Sequence, residues 1–164
     1  MQIDYIDANG KYPIEINQIV DFIVTVNNII NDFHDNNLEI IYLRNLFRKN
    51  DFKNRFRNYA VVEGTLGVKI DPRINILSEN IFDKYAPDAL TNNDVGNFLI
   101  QYQINELYLC GVLADECVYE TALGAINKGY IVNYFSNGVV GSSIKNKENA
   151  IRKLKNRGVN IIEF

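Results

Sequence analysis

Between Ile14 and Phe33 the apolar positions Ile19, Phe22, Ile23, Val26, Ile29 and Ile30 fall on one side of a 3.6-residue period, which predicts an amphipathic helix. Shorter apolar runs predict strands at Gln2 to Ile6, Glu39 to Leu43, Asn80 to Asp83, Glu106 to Val112, Tyr130 to Tyr134 and Val159 to Glu163. Asn92-Asn93-Asp94 offers helix-start residues before Val95 to Gln103. Asp115 to Lys128 reads as a helix stopped by Gly129, and Lys145 to Asn156 as another with Gly158 behind it. Asn45 to Ala60 is polar with little periodicity, and Glu63-Gly64-Thr65-Leu66-Gly67 is a turn-rich loop.

Strands and helices alternate, which predicts right-handed crossovers and a mostly parallel sheet with helices on both faces, an α/β class. Functional groups of such sheets collect at the C-terminal ends of strands. Asp7, Lys84 and Cys117 each follow a strand-like run and are candidates to meet there.

Cys117 carries the sharpest chemistry. A thiol at a helix start faces unpaired N–H groups and the positive end of the helix dipole, which favour the nucleophilic thiolate. The same N–H groups can bind an oxyanion. Cys110, inside a predicted strand, reads as a buried small hydrophobe. Asp115 and Glu116 flank Cys117 and oppose the thiolate unless they point elsewhere.

The 164 residues are 47% hydrophobic and 23% charged, the composition of one globular domain spanning 1–164. A net charge of -3 without a long basic run gives no reason to expect a nucleic-acid partner. Arg48 to Arg57 is locally basic but interrupted by Asp51, and reads as a solvated loop or short helix. No apolar run reaches membrane-span length, no leader is evident, and two cysteines fit a cytoplasmic protein with reduced thiols. The lone His34 reads as a surface residue, so no metal and no other cofactor is expected.

Three blocks, in order, resemble the cysteine hydrolases of the isochorismatase-like superfamily. Ile6-Asp7-Ala8-Asn9-Gly10-Lys11-Tyr12 resembles hydrophobic-Asp-x-Gln-x-x-Phe. Phe82 to Leu90 resembles the lysine block, and Gly111 to Ala125 resembles Gly-x-x-Thr-x-x-Cys-Val-x-x-Thr-x-x-x-Ala. The 63–67 turn resembles the family's Gly-Thr-x-Gly loop. The resemblance implies a three-layer α/β/α sandwich, a catalytic triad of Asp7, Lys84 and Cys117, and a cis peptide before Leu113 in the turn that shapes an oxyanion hole. Asn9 stands for the usual Gln and Ala114 for the usual Thr. Nicotinamidases of the superfamily hold a metal where this chain has Asn45, Phe47 and about Ala60, none of them a strong ligand.

The resulting expectation is a metal-independent hydrolase of a small amide or related carbonyl compound, working through a thioester. Cys117 attacks, Asp7 shuttles the proton, Lys84 supplies positive charge, and the N–H groups of Leu113 and Cys117 receive the oxyanion. Tyr12, Phe47, Tyr85 and Tyr119 are candidates for pocket walls or for core. Two alternatives stand beside it: a catalytically silent relative acting as a binding or assembly subunit, and a redox-sensing thiol protein, which lacks an evident resolving partner. By analogy with the family, a homo-oligomer is expected.

Overall fold

Among the described residues the named strands pair in parallel, β-strand 42–45 with 81–84, 106–112 with 131–140, and 131–140 with 160–162. The computed structural model describes residues 1–14 and 16–164 and divides into two units, Met1–Tyr85 and Ala86–Phe164. The fold class is α/β, as the alternation of elements predicts.

The first unit contains α1 (Ile3–Ile6), α2 (Ile19–Asp35), β1 (Tyr42–Asn45) and β2 (Ile81–Lys84). Helix α2 buries Ile19, Phe22, Ile23, Val26, Ile29 and Ile30, the stripe read from the period. It starts later than the apolar pattern, after a 3-10 turn at Ile16–Gln18. Strands β1 and β2 pair in register, Tyr42 opposite Ile81 and Asn45 opposite Lys84. Strand β1 lies C-terminal to the expected 39–43 run because Glu39 to Ile41 precede the ladder.

The N-terminus departs from expectation. Gln2 to Ile6 is not a strand: Ile3–Ile6 is a single helical turn, closed by the Asp7 N–H donating to the Ile3 carbonyl at 3.0 Å. Only Gln2 keeps a strand contact, an isolated bridge to Ile70. The cause is a set of long-range side-chain bonds. The buried Asp4 carboxylate accepts the N–H of Val61 at 2.7 Å and of Lys11 at 3.2 Å, which turns the chain inward. Gly67 lies against that carboxylate with no room for a Cβ.

The second unit contains α3 (Asn93–Gln101), β3 (Glu106–Val112), α4 (Cys117–Asn127), β4 (Ile131–Val140), α5 (Ile144–Lys155) and β5 (Asn160–Ile162). Its sheet order is β3-β4-β5, all parallel. The Asn92 and Ser143 side chains cap α3 and α5 by accepting N–H bonds from Asp94 and Asn146, which fixes both starts. Strand β4 runs well past Tyr134, through a register shift opposite Leu109–Gly111. The chain turns out of α4 through Gly129 at φ 87°.

Candidate functional site

In the second unit, β3 delivers the chain into a tight turn and α4 begins at Cys117. Gly111 has φ 131° and the Val112–Leu113 peptide is cis. Several polar groups of the turn have a defined partner. The Leu113 carbonyl accepts the N–H groups of Glu116 and Val118, both at 3.1 Å. The Ala114 N–H donates to the Val140 carbonyl at 2.9 Å, and the Ala114 carbonyl accepts the Tyr134 hydroxyl at 3.0 Å. The Cys117 carbonyl accepts the Thr121 hydroxyl at 2.7 Å. The N–H groups of Leu113, Asp115 and Cys117 meet no acceptor among the described residues. All three belong to the segment that carries the half-buried Cys117.

The acid flanking the thiol is directed away from it. Asp115 accepts the Ser142 N–H at 2.8 Å and the Ser142 hydroxyl, so its carboxylate is spent on the β4–α5 turn. Glu116 is exposed and gives α4 no side-chain cap. Burial pushes the Cys110 thiol up to about 11, so at neutral pH that cysteine stays protonated and unreactive. Tyr119 is half-buried on α4.

In the first unit, Lys84 ends β2 and is buried, its Nζ donating to Asn45 Oδ1 at 3.1 Å. Asn45 is fixed in turn by Gln2, which donates from Nε2 to the Asn45 carbonyl at 2.8 Å and accepts the Asn45 N–H at 2.9 Å. Asp7 follows α1. Its carboxylate accepts the Asn9 N–H at 2.8 Å. Arg73 is held ionised chiefly by its bonds to Asp71, with the charge of Asp7 adding to the effect.

The aromatic candidates separate. Tyr12 is exposed, with its ring edge-on to Tyr5 at 6.3 Å. Tyr85 is exposed and donates its hydroxyl to Glu63 at 2.7 Å. Phe47 carries the Arg57 guanidinium on its face, 3.7 Å from the ring centroid. Asn45 and Phe47 therefore do not fit a metal: the amide oxygen is taken by Lys84 and the ring is covered by a cation. No group of three or more potential ligand side chains occurs among the described residues. No helix among them is long and apolar enough to cross a membrane. His34 is exposed beside Asp35.

Sequence reasoning missed Gln2, Asp4 and Tyr134. One signal was present: Gln2-Ile3-Asp4-Tyr5 fits Gln-x-x-aromatic with a true glutamine, and that glutamine, not Asn9, is the buried one.

A family model described as an isochorismatase domain matches residues 1–164. The crystal structure of pyrazinamidase of Pyrococcus horikoshii in complex with zinc is similar at TM-score 0.89 and 26% identity, covering 100% of this chain and 95% of that one. Nicotinamidase from Bacillus subtilis is similar at TM-score 0.88 and 24% identity, covering 99% and 94%. An uncharacterized isochorismatase family protein of Bacillus subtilis, strain 168, is 29% identical over 68 residues, which is 41% of this chain and 38% of that relative's length.

Proposed function

The chain belongs to the isochorismatase family, and from that premise we propose that it is a metal-independent cysteine hydrolase of small amides, with Cys117 as the nucleophile. The observation that carries the reading is the unspent N–H groups, those of Leu113 and Cys117 among them, in the turn that bears the thiol. Preorganised donors of this kind stabilise the oxyanion of acyl transfer, each worth about 3 kcal/mol. Cys117 Sγ attacks the amide carbonyl and the carbonyl oxygen takes up negative charge against these donors. The C–N bond then breaks, ammonia or an amine leaves with a proton, and a thioester remains. Water cleaves the thioester, releasing the acid and restoring the thiol.

Lys84 is assigned the positive charge that the reaction requires. Asp7 is the proton carrier of the triad reading, although its carboxylate is engaged by Asn9 and faces Arg73. Asp7→Asn tests that role: a loss of turnover of about 10² or more supports Asp7 as acid–base, and unchanged turnover removes it from the mechanism.

The test of the whole reading is a panel of small amides with released ammonia as the readout. Cys117→Ala is expected to abolish release and the acyl-enzyme mass; unchanged release overturns the mechanism. The engagement of the Asp7 carboxylate by Asn9 and of the Lys84 ammonium by Asn45 favours a second reading, a catalytically silent binding or assembly subunit. An iodoacetamide-inert Cys117 at neutral pH would support it.

A further inference from the structure

We propose that Asp115 and Ser142 form a latch that positions Cys117, so that the β4–α5 turn sets how reactive the thiol is. The inference rests on the nucleophile reading above and concerns how that nucleophile is held.

The latch lies wholly within the second unit. Asp115 stands two residues ahead of Cys117, between β3 and α4, and Ser142 lies just past the end of β4. One carboxylate oxygen of Asp115 accepts the Ser142 N–H at 2.8 Å, and the other accepts the Ser142 hydroxyl. An ionised carboxylate only accepts, so the single hydroxyl proton of Ser142 points at Asp115. The same hydroxyl oxygen accepts the Asn146 side-chain amide at 2.9 Å. A continuous chain of bonds therefore runs from α5 through Ser142 to the turn that carries the thiol.

Gly141 lets the latch close. A Cβ there would meet Asp115 Oδ1 at 2.9 Å, Lys147 Cβ at 3.0 Å and the Ser143 carbonyl oxygen at 3.1 Å. Its backbone is not in the left-handed region, so the approach of the carboxylate is what calls for glycine. The Ala114 N–H bond to Val140 and the Tyr134 hydroxyl bond to Ala114 hold the turn separately. Removing the Ser142 hydroxyl therefore releases the carboxylate without dismantling the fold. A released carboxylate brings negative charge toward a thiolate two residues away and opposes its formation.

The other charged or titratable groups of these elements are Glu116 and Glu120 at the start of α4, Asp88 against Gly124, the buried Tyr134 phenol, and Lys147 on α5. All are common to the variants below, so a difference between variants reports on Asp115.

The experiment follows iodoacetamide alkylation of Cys117, resolved from Cys110 by peptide mass, between about pH 5 and pH 10. Ser142→Ala should raise the midpoint of the rate profile by about one pH unit and slow alkylation at pH 7 by about 3- to 10-fold. Ser142→Thr keeps the hydroxyl and should stay near wild type. Gly141→Ala, which displaces the carboxylate sterically, should move the midpoint in the same direction. Adding Asp115→Asn to Ser142→Ala removes the charge and should bring the midpoint back; a merely structural contact would leave the double variant as slow as the single one. An unmoved midpoint in Ser142→Ala, or no rescue by Asp115→Asn, overturns the latch, and Cys117-dependent ammonia release in the same samples would leave the hydrolase reading standing. A midpoint that moves and is rescued while no amide is hydrolysed upholds the latch and refutes the amidase reading. A wild-type Cys117 that stays inert across the whole range refutes both.

Discussion

Replacing Gly67 with alanine should unfold the first unit more readily, against the usual sign of that change. Glycine to alanine at a compatible position stabilises a protein by about 0.4–1 kcal/mol, because the unfolded chain has less freedom to lose. The backbone of Gly67 is not in the left-handed region, so dihedral strain plays no part. The obstacle is the Asp4 carboxylate, which occupies the space a Cβ would need. Asp4 is buried and cannot retreat without releasing the Val61 N–H, 2.7 Å away, and the Lys11 N–H, 3.2 Å away. A buried donor left unpaired costs about 1–3 kcal/mol, and overpacking adds about 1–3 kcal/mol. Taking about 2 for Val61, about 1 for the partly exposed Lys11 and about 1–2 for crowding gives a loss near 4 kcal/mol. For a chain of this size that lowers Tm by roughly 8–16 °C. Urea denaturation at unchanged m measures the loss directly. The decisive control is the double-mutant cycle with Asp4→Ala, in which Gly67→Ala should cost far less because the obstructing carboxylate is gone. A Gly67→Ala variant within about 1 kcal/mol of wild type, or an equal cost in both backgrounds, would refute the reasoning.

Two further outcomes follow from the second unit. Tyr134→Phe leaves the fully buried Ala114 carbonyl without its 3.0 Å partner and should cost about 1–3 kcal/mol by denaturant titration, with slower alkylation of Cys117; unchanged stability would separate Tyr134 from the turn. Stability should also fall as pH rises above about 8.5, since the unfolded Cys110 thiol ionises there while the folded one holds its proton up to about 11. The decline from this residue reaches about 3 kcal/mol by pH 11, and Cys110→Ala should flatten the slope between pH 8.5 and 10 in denaturant midpoints.

The elements legible in the sequence are those whose signal is local. The six-residue stripe of α2 declares itself by period, and Glu106 to Val112 by its apolar run. Cys117 was placed at the start of a helix because small residues precede it and apolar spacing follows. What escaped reading is held by contacts between distant positions. Gln2 to Ile6 alternates like a strand, yet Asp4 reaches Val61, and Gln2 reaches Asn45, and these bonds outweigh local preference. Asp115 flanks the thiol in sequence, yet Ser142, remote along the chain, takes its carboxylate. Phe47 was visible as an aromatic, but nothing local announced the guanidinium on its face.

The parallel pairing of β1 with β2 has a kinetic consequence. The crossover from Leu46 to Asn80 holds only short 3-10 turns, Phe52–Arg57 and Leu66–Val68, and no α-helix to bring the two strands together early. Closing a loop of that length costs about 3 kcal/mol of chain entropy before a four-residue ladder returns anything. During synthesis the first unit must wait until Lys84 has left the ribosome, and throughout that interval Lys49, Lys53 and Arg55 lie on an unfolded tether. Trypsin-like proteases and holding chaperones meet the nascent chain there first.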